Sequence, residues 1–146
     1  MSDRSAILVQ ICAAVAAAVN QCQALAVAAV DLCPQQEFDK LGSLSIRVTP
    51  FKSAISSDTR ASTVRMDAQV TIWIADPGGE EAVAPGIMLV EDIANGIFRR
   101  RLELAGGGQA VATRSEIVTV YDLDRLRQTH VFLSALRVHV TAWYKP

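Results

Sequence analysis

Thr129–Tyr144 reads THVFLSALRVHVTAWY, sixteen residues with no glycine or proline to stop an extended chain. Phe132, Leu136, Val138 and Val140 share one face of such a strand. On the other face Val131, Leu133 and Ala135 give way to Arg137, His139 and Thr141. That pattern predicts a strand passing from a doubly covered region to an exposed one. At about 3.3 Å per residue it would run about 53 Å, whereas a globule of this length is about 38 Å across. The strand is therefore expected to bend sharply or to overhang its domain. An overhang leaves backbone donors and acceptors that a second copy can satisfy, which makes Arg137, Val138, His139 and Val140 candidate subunit-interface residues.

Working back from that strand, Asp122 is placed to cap a single helical turn containing Leu123 and Leu126. Gln109 to Val120 reads as a strand broken in phase near Arg114 and Ser115, as a bulge would break it, and Gly106-Gly107-Gly108 reads as a flexible joint before it. Ile87, Val90, Ile93, Ala94 and Ile97 form the buried stripe of a helix opened by Pro85, with Arg99, Arg100 and Arg101 expected in its last turn, where they suit the helix dipole. Val64, Met66, Ala68, Val70, Ile72 and Ile74 alternate cleanly with polar residues and predict a long strand with one core face. Lys52 to Thr63 reads as a polar projecting loop, and Leu44, Ile46 and Val48 as a half-buried strand before it. Pro34 opens a short helical turn through Phe38. Leu25 to Leu32 is read as a strand, and a first helix, capped by Ser2 or Ser5, carries Leu8, Ile11, Cys12, Val15, Val19 and Cys22 on one face. The order predicts a single α+β domain over residues 1–146. Its sheet is mainly antiparallel, of four to five strands, with two helices packed on one face.

Composition narrows the function classes. The 14 Lys and Arg against 15 Asp and Glu give no global attraction to nucleic acid or anionic membrane. Arg4 followed by Ala6 to Val19 imitates a secretory signal, but Gln10 interrupts the apolar run, and Asn20, Gln21 and Gln23 keep it short of the about 20 apolar residues a bilayer span needs. No targeting or membrane segment is expected. Cys12, Cys22 and Cys33 are odd in number and lack a CxxC pair, which suits buried thiols in a reducing compartment. His130 and His139 sit nine apart in one strand and point to opposite faces, so they form no metal pair, and Gly106 to Gly108 lacks the residues of a phosphate loop. Neither a catalytic constellation nor a metal or cofactor is expected. The dense charge cluster Arg99-Arg100-Arg101, with Arg60 and Arg65 beside the projecting loop, supplies further candidates for contacts between protein subunits, where arginine forks onto carboxylates.

Three segments, Leu41 to Pro50 (LGSLSIRVTP), Leu89 to Leu102 (LVEDIANGIFRRRL) and Tyr121 to Leu136 (YDLDRLRQTHVFLSAL), together resemble the tail terminators, small tail-completion proteins of long-tailed bacteriophages. The middle segment carries an acidic pair inside the apolar stripe and an arginine-rich end followed by leucine, and Arg60 resembles an arginine of a family loop. The resemblance implies a structural virion protein of the tail-neck region, assembled in the bacterial cytoplasm. It would form a homo-oligomeric ring, usually a hexamer, on the head-proximal end of the tail tube, stop tube growth and offer a docking face to the head connector. Its partners would be the tail tube protein and the head-side connector, with passing contact between lumen arginines and genomic DNA. A neck or tube protein of the same machinery is the nearest alternative, and a small ligand-binding α+β domain the more distant one.

Overall fold

The computed structural model describes residues 6–32, 42–57 and 62–146. In chain order its elements are α1 (Ile7–Cys22), β1 (Ala28–Val30), β2 (Ser45–Ser57), β3 (Val64–Asp76), a 3-10 turn (Gly79–Ala82), α2 (Val83–Ile97), β4 (Arg101–Glu103), β5 (Gln109–Thr119), α3 (Leu123–Thr129) and β6 (Phe132–Tyr144). The α+β class holds, but the sheet has six strands in the order β1-β2-β3-β6-β5-β4 and is mixed, because β1 runs parallel to β2 while every other pair is antiparallel.

The alternating residues of β3 explain why it can sit inside the sheet. Met66, Ala68, Val70, Ile72 and Ile74 are buried on the helix side, and they join Leu136, Val138 and Val140 of β6 and Ile46 and Val48 of β2. The stripes of α1 (Ile11, Val15, Val19) and α2 (Leu89, Val90, Ile93, Ile97) close over this face. Each fully buried aliphatic side chain contributes about 1.5–3 kcal/mol, so this single layer of contacts holds both helices to one side. Gly86 lets α2 settle on the ring of Phe132, because a Cβ there would run into three ring carbons. Gly96 likewise lets α2 approach Cys22 of α1. On the other sheet face Ala75, Val131 and Leu133 form a small buried cluster with Trp73 packed against it.

Several expectations change. The terminal strand does not overhang: β6 is paired along its whole length with β3, from Tyr144 opposite Val64 to Phe132 opposite Asp76, and with β5 on its other side. Its neighbours are nearly as long as it is, so the sheet extends with the strand. Lys52 to Ser57 is not loop but the second half of β2, paired with Gln69 to Val64. A bulge at Phe51, between Pro50 and Lys52, flips the side-chain phase and hides the alternation. The strand read at Leu25 to Leu32 shrinks to Ala28–Val30, with Leu25 and Val27 exposed.

The arginine triplet leaves the helix. α2 ends at Ile97, Arg99 takes a left-handed backbone (φ 59°), and Arg101 opens β4, which the sequence reading missed. Gly106 to Gly108 is no loose joint but the tight turn of the β4–β5 hairpin, closed by Leu104 N–H to Gly108 O at 2.9 Å and Gly107 N–H to Leu104 O at 3.0 Å. The predicted bulge in β5 exists, with register shifts at Thr113 and Val118. Asp122 caps α3 as expected, its carboxylate accepting from Arg125 N–H at 3.1 Å, although the helix has seven residues rather than one turn. The Ser2 or Ser5 cap and the Pro34 to Phe38 turn lie outside the described residues.

Candidate functional site

Among the described residues the two borders of the sheet are open at opposite corners. On one side β1 covers only Ile46, Arg47 and Val48 of β2, so among the described residues no strand lies beyond residues 49–57. On the other side β4 covers only Gln109, Ala110 and Val111 of β5, and the backbone of Arg99 and Arg100 extends that cover by one residue, to Ala112. Residues 113–119 of β5 are therefore open as well. Such borders are rows of unpaired N–H and C=O groups, a template for another strand.

The direction of those groups follows from the bonds already made. Asp31 N–H donates to Val48 O at 2.9 Å, so the backbone of Val48 faces outward, and alternation with one extra residue at the Phe51 bulge turns Ser53 and Ile55 outward too. Ala112 bonds outward to Arg99 and Arg100, and the Thr113 bulge likewise turns Ser115 and Ile117 outward. Apolar side chains stand at both places: Ile55 is 64% exposed, Phe51 51%, Val118 47% and Ile117 37%. Single exposed hydrophobics are ordinary on a protein surface, so what distinguishes these four is their position beside the unpaired backbone of a sheet border.

The face away from the helices is polar. Arg137 stacks its guanidinium 3.6 Å above the ring of Phe51 and reaches Thr71 Oγ1 at 3.5 Å. His139 Nε2 lies 3.7 Å from Glu116, which also pairs with Arg114 at 3.4 Å. Asp67 takes Arg65 at 3.2 Å and the Thr141 hydroxyl at 3.1 Å, and Arg47 pairs with Asp31 at 3.5 Å. These exposed or half-exposed pairs are worth little stability each, and they hold the face in one arrangement of mixed charge.

The interface residues expected from sequence thus separate. Arg65, Arg137 and His139 share the polar face. Val138 and Val140 are buried under the helices in a central strand, so neither offers an edge to a neighbour. Arg99 covers Phe98 at 5.1 Å, and Arg101 is exposed beside the β5 border. Arg100 turns inward, donating to Ala18 O at 3.1 Å and towards Cys22 Sγ at 3.7 Å, so it caps the end of α1 rather than of α2. Arg60 lies outside the described residues. Phe51, Ile55, Ile117 and Val118 escaped the sequence reading; the signal for the first two was the alternation that resumes out of phase after Pro50-Phe51-Lys52.

Among the described residues no group of three His, Cys, Asp or Glu side chains is placed to hold a metal, and no helix is long and apolar enough to cross a membrane. A depression of about 710 Å³ between the start of α1 and the β4–β5 turn is lined by residues including Gln10, Gly107, Trp143 and Lys145, with no carboxylate, histidine or cysteine side chain in its wall. Burial pushes the Cys12 thiol up to about 11, away from reactivity. No family model matches the chain, and no curated protein matches it.

Proposed function

We propose that this chain is a structural protein that closes into a ring on the head-proximal end of a bacteriophage tail tube, stops tube growth and presents the docking surface for the head connector. The observation that carries the ring is the pair of open sheet borders on opposite sides of one domain. Two different complementary edges make a heterologous contact, which propagates head to tail and closes when the rotation permits. The resemblance of Leu89 to Leu102 and of Tyr121 to Leu136 to tail terminators supplies the place in the virion. Termination is then steric: one ring face matches the last tube ring, and the other lacks the surface a further tube subunit needs. Neither turnover nor a cofactor enters.

The test is deletion of the gene in a carrying phage or prophage, with negative-stain electron microscopy of the lysate. Overlong tails are the expected result. Tails of normal length that fail to join heads would move the chain to the neck, and normal infectious particles would end the tail assignment.

A further inference from the structure

We infer that successive copies join by pairing the Ser53–Ser57 border of β2 with the Ser115–Thr119 border of β5 of the next copy, antiparallel, with Ile55 opposite Ile117, in a joint sheared along the strands. This rests on the proposed ring and names its contact. The antiparallel sense follows from the sheet itself. Along β2-β3-β6-β5 each strand reverses its neighbour, so β2 and β5 run in opposite directions, and copies related by rotation bring them together antiparallel.

The shear follows from where the open stretches lie. Ile55 is level with Met66 and, through it, with Ala142 of β6, whereas Ile117 is level with Leu136. The two open stretches are therefore offset by six residues of β6, about 20 Å. Four long strands span about 19 Å at about 4.8 Å per strand, so a joint that aligns the stretches tilts the strands by about 45° to the ring axis. That is close to the range of about 35–45° in which closed barrels settle. The same offset clears the short border strands. β1 lies beside Ile46 to Val48, which would face positions past the end of the neighbour's β5, and β4 lies beside Gln109 to Val111, which would face positions past the end of β2. Without the offset, β4 of the next copy would stand against Ile55 and no backbone pairing with β5 could form.

Side chains agree with this register. Ile55 and Ile117 both project to the helix side, being paired in register with Met66 and Leu136, and both are exposed in one copy. Opposed across a joint they cover each other as a cross-strand pair.

The experiment is oxidative cross-linking of the purified full chain at several hundred micromolar, with Cys22 and Cys33 replaced by serine and Cys12 left in its buried site. The Ile55→Cys, Ile117→Cys double variant should give a ladder of covalent multimers on denaturing gels, at least tenfold above either single variant. Dimers from Ile55→Cys alone would establish two-fold pairing and overturn the head-to-tail joint. A ladder from Ile55→Cys, Leu102→Cys, the pair that stands level when the joint has no offset, would establish an unsheared contact and overturn the register. No multimers above the single variants, from chains whose circular dichroism and melting match the parent, would also overturn it. Tail length in the gene deletion is read separately. Rings with a different contact would leave the tail assignment standing, and cross-linked multimers from a gene whose loss leaves tails normal would sink only that assignment.

Discussion

Replacing Gly86 by alanine sets two effects of known size against each other. In an ordinary helix the change gains about 1 kcal/mol, because glycine is the poorer helix former. Here the new methyl would stand 2.7 Å from Cζ and 2.8 Å from Cδ1 of Phe132 and in closer conflict with Cε1. Phe132 is fully buried at the head of β6, so its ring has nowhere to turn. Overpacking of this kind costs about 1–3 kcal/mol, which outweighs the helix gain and leaves Gly86→Ala destabilising by up to about 2 kcal/mol. With Phe132→Leu in place the obstructing outer ring atoms are gone. The same Gly86→Ala should then stabilise by about 0.5–1 kcal/mol. Urea unfolding of the four proteins closes the cycle, with an expected coupling of about 1–3 kcal/mol, the overpacking cost itself. Equal stabilisation by Gly86→Ala in both backgrounds would refute the claim that the seat of α2 on Phe132 sets the spacing between the helix layer and the sheet.

Arg100→Ala should lower stability by about 1–2 kcal/mol, since it frees the end of α1, whereas Arg101→Ala, at an exposed position, should stay within about 0.5 kcal/mol; chemical denaturation compares the two. The raised Cys12 thiol binds a proton in the folded chain that the unfolded chain releases above its ordinary value of 9.0, so this contribution is complete below about pH 9 and is lost as pH climbs towards about 11. Melting curves between pH 8 and 11 should therefore fall less steeply for Cys12→Ala than for the parent. Proline separates central from border positions. Val138→Pro should leave no folded protein, because β6 is bonded on both sides, while Ser53→Pro, whose N–H faces the open border, placed in the Ile55→Cys, Ile117→Cys double variant, should keep the fold by circular dichroism and lower the yield of cross-linked multimers at least tenfold.

What the sequence revealed depended on whether a pattern kept one phase. β3 and the stripe of α2 were legible because Val64 to Ile74 and Ile87 to Ile97 each hold a single period against a single core. β2 was half legible. Its alternation stops at the Phe51 bulge and resumes shifted, and the serines of Ser53 to Ser57 resemble loop composition although they pair along β3. β6 was read as sixteen residues from Thr129 and has thirteen, because Thr129 closes α3 and His130 turns the chain through a left-handed backbone rather than sharing a strand with His139; its position was not legible either, since one strand's periodicity carries no information about which strands flank it. The polar later half of its open face was visible in Arg137, His139 and Thr141, yet the same reasoning assigned buried Val138 and Val140 to an interface. The end of α2 was missed for a local reason: the helix stops through a left-handed Arg99 where the chain has no glycine to announce it.

The bulges that obscured the strands also define how strongly copies can hold each other. Pro50, the Phe51 bulge and Lys52 blunt the middle of the β2 border, as proline, bulges and lysine do on protected edges, so only its last residues are fit for pairing. On β5 the shifts at Thr113 and Val118 enclose Ser115 to Ile117 in the same way. A joint between windows this short forms about four or five backbone hydrogen bonds, worth about 0.5–1.5 kcal/mol each after exchange with water. That sum of about 2–7 kcal/mol falls near or below the about 4–15 kcal/mol cost of bringing two bodies together. One joint is therefore weak, and stable assembly waits for closure on a template that supplies further contacts. The expected outcome is a monomer in sedimentation velocity at about 10 μM, and a ring-sized species once tube ends are added. Long cylinders from the isolated chain would contradict both the weak joint and the termination role, because a protein that polymerises alone cannot be the one that stops the tube.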